Sequence, residues 1–255
     1  MIRRQLITAL IVVVVMTVGL GLVYPLVVTG IAQVAFHGKA NDSIVKVNGK
    51  AVGSSLLGQS FADKDGNPLP KYFQSRPSAA GDGYDASVSS ASNLGPSNPN
   101  LIGNIPGVAI STKTNPYATP SDPYCVPVQA TDKSGNDITD KAGNAVYEKN
   151  KDGTYVCDPN TVPQRVLAYR QLNGLGANVK VPVDAVTASA YGLDPDISIA
   201  NADLQAPRVA KVRHLPLATV LAQIKAHTAG RDLGFLGEKA VNVLELNLGL
   251  DKLGH

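Results

Sequence analysis

The chain has 255 residues, a formal net charge of +3 and 17% charged residues, with no Trp and only two Cys. A charge this small, with no Lys/Arg stripe interleaved with aromatics, excludes nucleic acid as a partner. Two cysteines without further ligands nearby exclude a zinc site.

Arg3 and Arg4 precede an uncharged run from Gln5 to Phe36. Residues 6–24 are apolar apart from Thr8, Thr17, Gly19 and Gly21. At roughly 1.5 Å per residue they reach about 28 Å, close to the thickness of a bilayer's hydrocarbon core. This predicts a transmembrane helix at 6–30 behind a cytoplasmic tail at 1–5. A signal peptide would have a shorter core of about 7–15 residues and a small-x-small cleavage site. The nearest such stretch, Ala32-Gln33-Val34-Ala35, fits poorly, so a retained anchor is the reading. No comparable run follows, which predicts a single span. Long domains translocate largely regardless of charge, so the expected topology is N-terminus inside with the bulk of the chain extracytoplasmic. Thr17 and Gly21 form a small-x3-small pair that would let a partner helix dock closely. Pro25 should kink or end the helix near the outer interface.

About 220 residues remain, enough for one domain plus an insertion or for two small domains. Val45 and Val47 alternate with Lys46 and Asn48 ahead of Gly49, a short strand into a turn. Asp63-Lys64-Asp65-Gly66-Asn67-Pro68 is a turn. The Gly/Ser/Ala/Asn/Pro stretch 76–99 carries Tyr84 and Leu94 as anchors and reads as a long ordered loop. Residues 102–161 read as an insertion rich in β-hairpins. There Asp132–Asn136 and Asp140–Asn144 repeat the turn chemistry of Asp63–Asn67 between the short runs Val146-Tyr147 and Tyr155-Val156. Calcium is rejected for these turns, because none supplies carboxylates at alternating positions and a closing Glu. Cys125 and Cys157 could close a loop worth about 3–4 kcal/mol in an oxidising compartment, or stay as two free thiols.

The last stretch, 163–255, reads as the best-folded part. Pro163 opens a helix with Val166, Leu167 and Arg170. Val179, Val181 and Val183 alternate like a strand. Leu217, Val220, Leu221 and Ile224 fall at helical spacing, with Gly230 as the stop. Leu244, Leu246, Leu248 and Leu250 alternate with polar or small residues, predicting a half-buried strand. The expected fold is thus a single transmembrane helix plus an extracytoplasmic mixed α/β (α+β) domain, with long Gly/Pro/Ser-rich loops and an inserted hairpin segment.

Motifs for chemistry are missing from the sequence. There is no phosphate loop, dinucleotide fingerprint or His-Glu-x-x-His. Ser43-Ile44-Val45-Lys46 matches the Ser-x-x-Lys of penicillin-binding proteins but lacks the partner motifs Ser-Asp-Asn and Lys-Thr-Gly. A serine hydrolase acting through Ser43 or Ser78, and a tethered module whose insertion binds envelope polymer, are the alternatives to a non-catalytic role. Arg76, Asp184, Asp194, Gln205 and Arg208 are expected to hold loops together, with the two arginines pairing with the two aspartates.

Several segments together resemble the C subunit of the Kdp potassium-transporting P-type ATPase. They include Tyr24-Pro25-Leu26-Val27-Val28-Thr29-Gly30, Gly53-Ser54-Ser55-Leu56-Leu57-Gly58-Gln59, Tyr72-Phe73-Gln74-Ser75-Arg76-Pro77-Ser78 and Ser92-Asn93-Leu94-Gly95-Pro96. Val181-Pro182-Val183-Asp184, Gly192-Leu193-Asp194-Pro195, Gln205-Ala206-Pro207-Arg208 and Leu233-Gly234-Phe235-Leu236-Gly237-Glu238 continue the series, and Val241-Asn242-Val243-Leu244-Glu245-Leu246-Asn247 closes it. The match omits 102–161, and Asp196 stands where the family commonly has His. The resemblance implies an accessory subunit without catalytic or metal residues or a cofactor of its own. It implies a pump of the bacterial inner membrane in which a potassium-conducting A subunit, an ATP-hydrolysing B subunit and a small F subunit handle K+ and ATP. The C subunit is described as stabilising assembly and as a catalytic chaperone raising ATP affinity. An external domain could not reach cytosolic ATP, so assembly is the favoured role. Gln59, Arg76, Asn93, Asp184, Asp194, Gln205, Arg208, Asn242 and Glu245 are the implied structural or interface residues.

Overall fold

A computed structural model describes residues 2–41, 43–78, 84, 87–88, 95, 125, 127–134, 136–158, 161–189, 192–231 and 233–254. The chain divides into two units, Met1–Leu57 and Gly58–His255.

The first unit is led by α1, Ile2–Ala35, a continuous apolar helix of 34 residues. None of its side chains is buried within the chain. It is longer than the predicted span, and Pro25 does not end it. Proline removes an N–H and pushes its ring against the carbonyl four residues back, here that of Gly21. The helix absorbs this with a π-helical turn over Gly19–Val23, in which the Tyr24 N–H reaches back to the Gly19 carbonyl. Phe36 then leaves helical geometry with φ −137° and ψ 38°. The predicted strand follows as β1, Ile44–Val47, paired antiparallel with β2, Lys50–Ser54. Asn48 and Gly49 turn the hairpin with φ of +50° and +78°, the backbone a two-residue hairpin turn demands.

The second unit is built on α2 (Val162–Asn173), β3 (Asp196–Ser198), α3 (Ile199–Val212), α4 (Leu217–Ala226), β4 (Thr228–Ala229), β5 (Ala240–Asn242) and α5 (Val243–Asp251). Its sheet is antiparallel throughout, in the order β3-β5-β4. Ile197 and Val241 from the sheet meet Ala202, Ala206 and Val209 of α3, Val220 and Ile224 of α4, and Val243, Leu246 and Leu250 of α5. Phe73, fully buried, fills the same core. A smaller cluster joins Tyr169, Ala185 and Val186. The domain is therefore mixed helix and sheet, as the pattern of elements implied.

Three expectations fail here. The alternating leucines 244–250 form α5, not a strand. Asn242 caps it by accepting from the Glu245 N–H at 3.0 Å, and Val243, Leu246, Asn247 and Leu250 are buried at helical spacing. Val179, Val181 and Val183 form no strand either. The Val179 carbonyl goes to the Arg170 guanidinium rather than to a neighbouring strand. Pro182 offers no N–H, and Val183 begins a 3-10 turn that runs to Ala185. Finally, α4 stops at Ala226 and the chain enters β4 before Gly230 is reached.

Residues 127–158 contain short antiparallel pairings, among them Pro127 with Cys157, Gln129 with Tyr147, Thr139 with Ala145 and Lys149 with Tyr155. Asp132 and Asp140 each accept from two backbone N–H groups of their own turn and from an Asn side chain. Those bonds hold the Asp140 carboxyl below the usual carboxylate range, the Asn144 side chain contributing most. Cys125 and Cys157 are joined as a disulfide.

Candidate functional site

Of the residues singled out by sequence, Gln205 and Arg208 meet one extended segment, 70–76, which ends in Arg76. Two carboxamides pair its backbone in the way a neighbouring strand would. Asn247 accepts from the Phe73 N–H at 2.9 Å and donates to the Phe73 carbonyl at 3.0 Å. Gln205 accepts from the Gln74 N–H at 2.8 Å and donates to the Gln74 carbonyl at 3.1 Å. Both amides are buried. Arg208, 7% exposed, donates to the carbonyls of Pro70 and Tyr72 and to the side-chain oxygens of Asn173 and Gln205. Arg213 binds the Lys71 carbonyl at 2.7 Å, pairs with Asp251 at 2.8 Å and lies over the Tyr72 ring. Sequence patterning gave no signal for Asn173, Asn201, Arg213 or Asn247, because a buried polar residue on a helix looks like any surface one.

A polar line runs from this segment along α3. Asn201, Gln205 and Arg208 sit at positions i, i+4 and i+7, on one face of the helix. Asn201 accepts from Gln205 at 2.9 Å and from the Tyr169 hydroxyl at 2.8 Å. Its own amide donates to Asp184, which also accepts from the backbone and hydroxyl of Ser198, the cap of α3. Asp184 thus puts a carboxylate where the helix leaves N–H groups unpaired. Burial lowers Arg208 to about 10, with Tyr169 opposing the shift, so the guanidinium stays charged at neutral pH. Burial also raises the Tyr169 hydroxyl.

Arg76 pairs with Asp194 at 2.8 Å, as anticipated, and reaches the Thr187 carbonyl. Arg208 pairs with neither aspartate, because amides and carbonyls occupy its donors. Gly58 donates to the Leu193 carbonyl at 2.8 Å, and a Cβ at Gly58 would fall 2.6 Å from the Asp194 carbonyl oxygen. Half-buried Gln59 follows it. Asp194 accepts from the Asp196 N–H. Asp196 lies near Asp194, Asn242 and Glu245, and its carboxyl is raised, chiefly by burial and then by Asp194. Glu245 stands 4.0 Å from His227. Asn93 lies outside the described residues.

The geometry offers no activated nucleophile among the described residues. Ser43 precedes β1 with φ of +46° and Lys46 lies within it as an exposed residue. Ser78 is packed against Gly192, where an added Cβ would fall 2.5 Å from the Ser78 Cβ. No group of three or more metal-ligating side chains occurs among the described residues. A cavity of about 610 Å3 is lined by Gln74, Arg165, Tyr169, Asn201 and Gln205, but Gln74, Tyr169, Asn201 and Gln205 already belong to the network above.

Residues 6–141 and 151–252 match the family described as KdpC, K+-transporting ATPase, c chain, so the match takes in most of the 102–161 segment that the resemblance read from sequence left out. The potassium-transporting ATPase KdpC subunit of Mycobacterium bovis (strain BCG / Pasteur 1173P2) is 41% identical over 251 residues, covering 98% of this chain and 100% of its own. The subunit of the same name from Koribacter versatilis is 39% identical, covering 98% and 95%. That from Caulobacter vibrioides is 41% identical, covering 92% and 86%.

Two outcomes test this geometry. Replacing Arg208 by Ala leaves two backbone carbonyls and an amide oxygen without their donor, so denaturant unfolding of the full chain should show a loss of about 3 kcal/mol or more. Lys, lacking the planar fork, should recover only part of it. Asp196 has a raised folded-state value, so its favourable contribution is complete below its ordinary 3.8 and is lost as pH rises through the folded value. Asp196→Asn should therefore be more stable than the parent at neutral pH, with the gain vanishing in acid. Thermal melts from pH 3 to 8 measure this.

Proposed function

The chain belongs to the KdpC family, the c chain of the K+-transporting ATPase, and on that premise we propose that it is a non-catalytic subunit that stabilises assembly of the pump. It is a membrane-associated subunit with one N-terminal apolar helix. The observation that carries the reading is α1: a helix of 34 residues with no buried side chain leaves its apolar surface for lipid and partner helices. Thr17 and Gly21 form the docking edge. A Cβ at Gly21 meets only Thr17 Cγ2, at 4.0 Å, so the chain's own packing does not require glycine there.

In this reading residues 6–30 span the membrane, residues 1–5 face the cytoplasm, and 37–101 with 162–255 form the extracytoplasmic domain that 102–161 interrupts. The Cys125–Cys157 disulfide supports an oxidising compartment for that domain. The partners are the potassium-conducting A subunit, the ATP-hydrolysing B subunit and the small F subunit, which handle K+ and ATP. An effect on ATP affinity would pass through the membrane as a coupling between subunits rather than by direct contact.

Gly21→Leu should sharply reduce co-purification of the other pump subunits while leaving the melting of the soluble domain unchanged; full recovery of the complex would refute docking at this edge. Protease added to intact spheroplasts should digest the domain. Protection until the membrane is permeabilised would reverse the topology.

A further inference from the structure

The connection between β4 and β5 presents Leu233, Phe235 and Leu236 at 83%, 69% and 49% exposure. Its shape is fixed. Leu233, Gly234 and Gly237 hold φ of +52°, +83° and +78°, and Arg231 closes the base onto Glu238 at 3.0 and 3.1 Å. A leucine in the left-handed region and three large apolar side chains in water are both unfavourable for an isolated chain. In the sequence flanking the tip, Arg231 and Lys239 are balanced by Asp232 and Glu238, so the segment carries no net charge and its distinguishing feature is apolar. A protein interface needs about 800 Å2 per partner, more than three side chains at a turn offer. Residues 36–57 are all that separates the end of α1 from the second unit. A chain anchored through α1 therefore holds the second unit, and with it this loop, at raised effective concentration near a bilayer in whatever orientation the linker allows.

We propose that the 233–237 loop is a lipid-interface wedge, with Leu233, Phe235 and Leu236 entering the headgroup–acyl boundary of the membrane that holds α1. This goes beyond assembly and rests on α1 as a membrane span.

The test uses the full chain reconstituted in phosphatidylcholine vesicles, with an environment-sensitive fluorophore on Leu236→Cys. The native cysteines are joined and leave the new thiol free to react. A second label at Val183→Cys, 73% exposed in the parent, is the reference. The expected result is a blue-shifted emission at 236, but not at 183, that is quenched by lipid brominated high on the acyl chain. Added salt should leave it unchanged, and Leu233→Ser with Phe235→Ser should abolish it. Water-like emission equal to that at 183 overturns the wedge. Shielding that requires the other pump subunits and escapes brominated lipid also overturns it, making the loop a protein contact. A chain that fails to float with the vesicles overturns anchor and wedge together, whereas loss of the wedge signal in a chain that floats leaves the assembly role standing.

Discussion

The second unit depends on how backbone groups of an extended segment are paired in its core. Phe73 brings a large apolar side chain into that core, but its peptide groups come with it. Unpaired, each buried N–H or C=O costs about 1–3 kcal/mol. Asn247 from α5 and Gln205 from α3 remove that cost from two sides, and Arg208 caps the carbonyls at the segment's start. A leucine in place of Gln205 would bury more apolar surface yet leave both Gln74 backbone groups without these partners. The amides are therefore a condition of burying Phe73, and they fix the register of 70–76 to single residues.

This arrangement also decides what the domain can do. Asp184 is committed to a helix cap, Arg76 to Asp194, and Arg208 to carbonyls and amides. Apart from the buried Arg76 Nε, which has no partner, these donors and acceptors are held by other groups of the chain, and a group so held is poorly placed to move a proton or bind an ion. Such a network suits a subunit whose task is to hold a shape, and it agrees with membership of a family whose pump draws its energy from ATP hydrolysed on another subunit.

Local turn chemistry was legible in the sequence, and tertiary pairing was not. Asn48-Gly49 and the Asp-x-x-Gly-Asn turns specify their own backbone, so each could be recognised within five residues. The helix at Pro163 and the one at 217–224 were also local. The leucines at 244–250 misled because a stripe at 243, 246, 247 and 250 contains every second leucine of an apparent strand. Asn242 as a cap, not the hydrophobic period, was the deciding signal. Val179–Val183 misled because alternation says nothing about whether a partner strand exists. In the candidate site, Arg76 with Asp194 was foreseeable as opposite charges in small-residue loops. Asn247 and Asn201 were not, since only the fold reveals which polar residues turn inward.

The apolar helix and the second unit answer the same constraint in different ways. In α1, Pro25 removes one N–H from the helix interior, and an α pattern would leave the Gly21 carbonyl crowded by the ring. The π turn at Gly19–Val23 relieves this with backbone alone. In the domain, where polar side chains can be packed inside, the missing partners come from amides and a guanidinium. The two solutions divide the chain's work. The helix leaves its apolar sides unburied within the chain, while the second unit pairs the backbone of its buried segment with Gln205, Arg208 and Asn247.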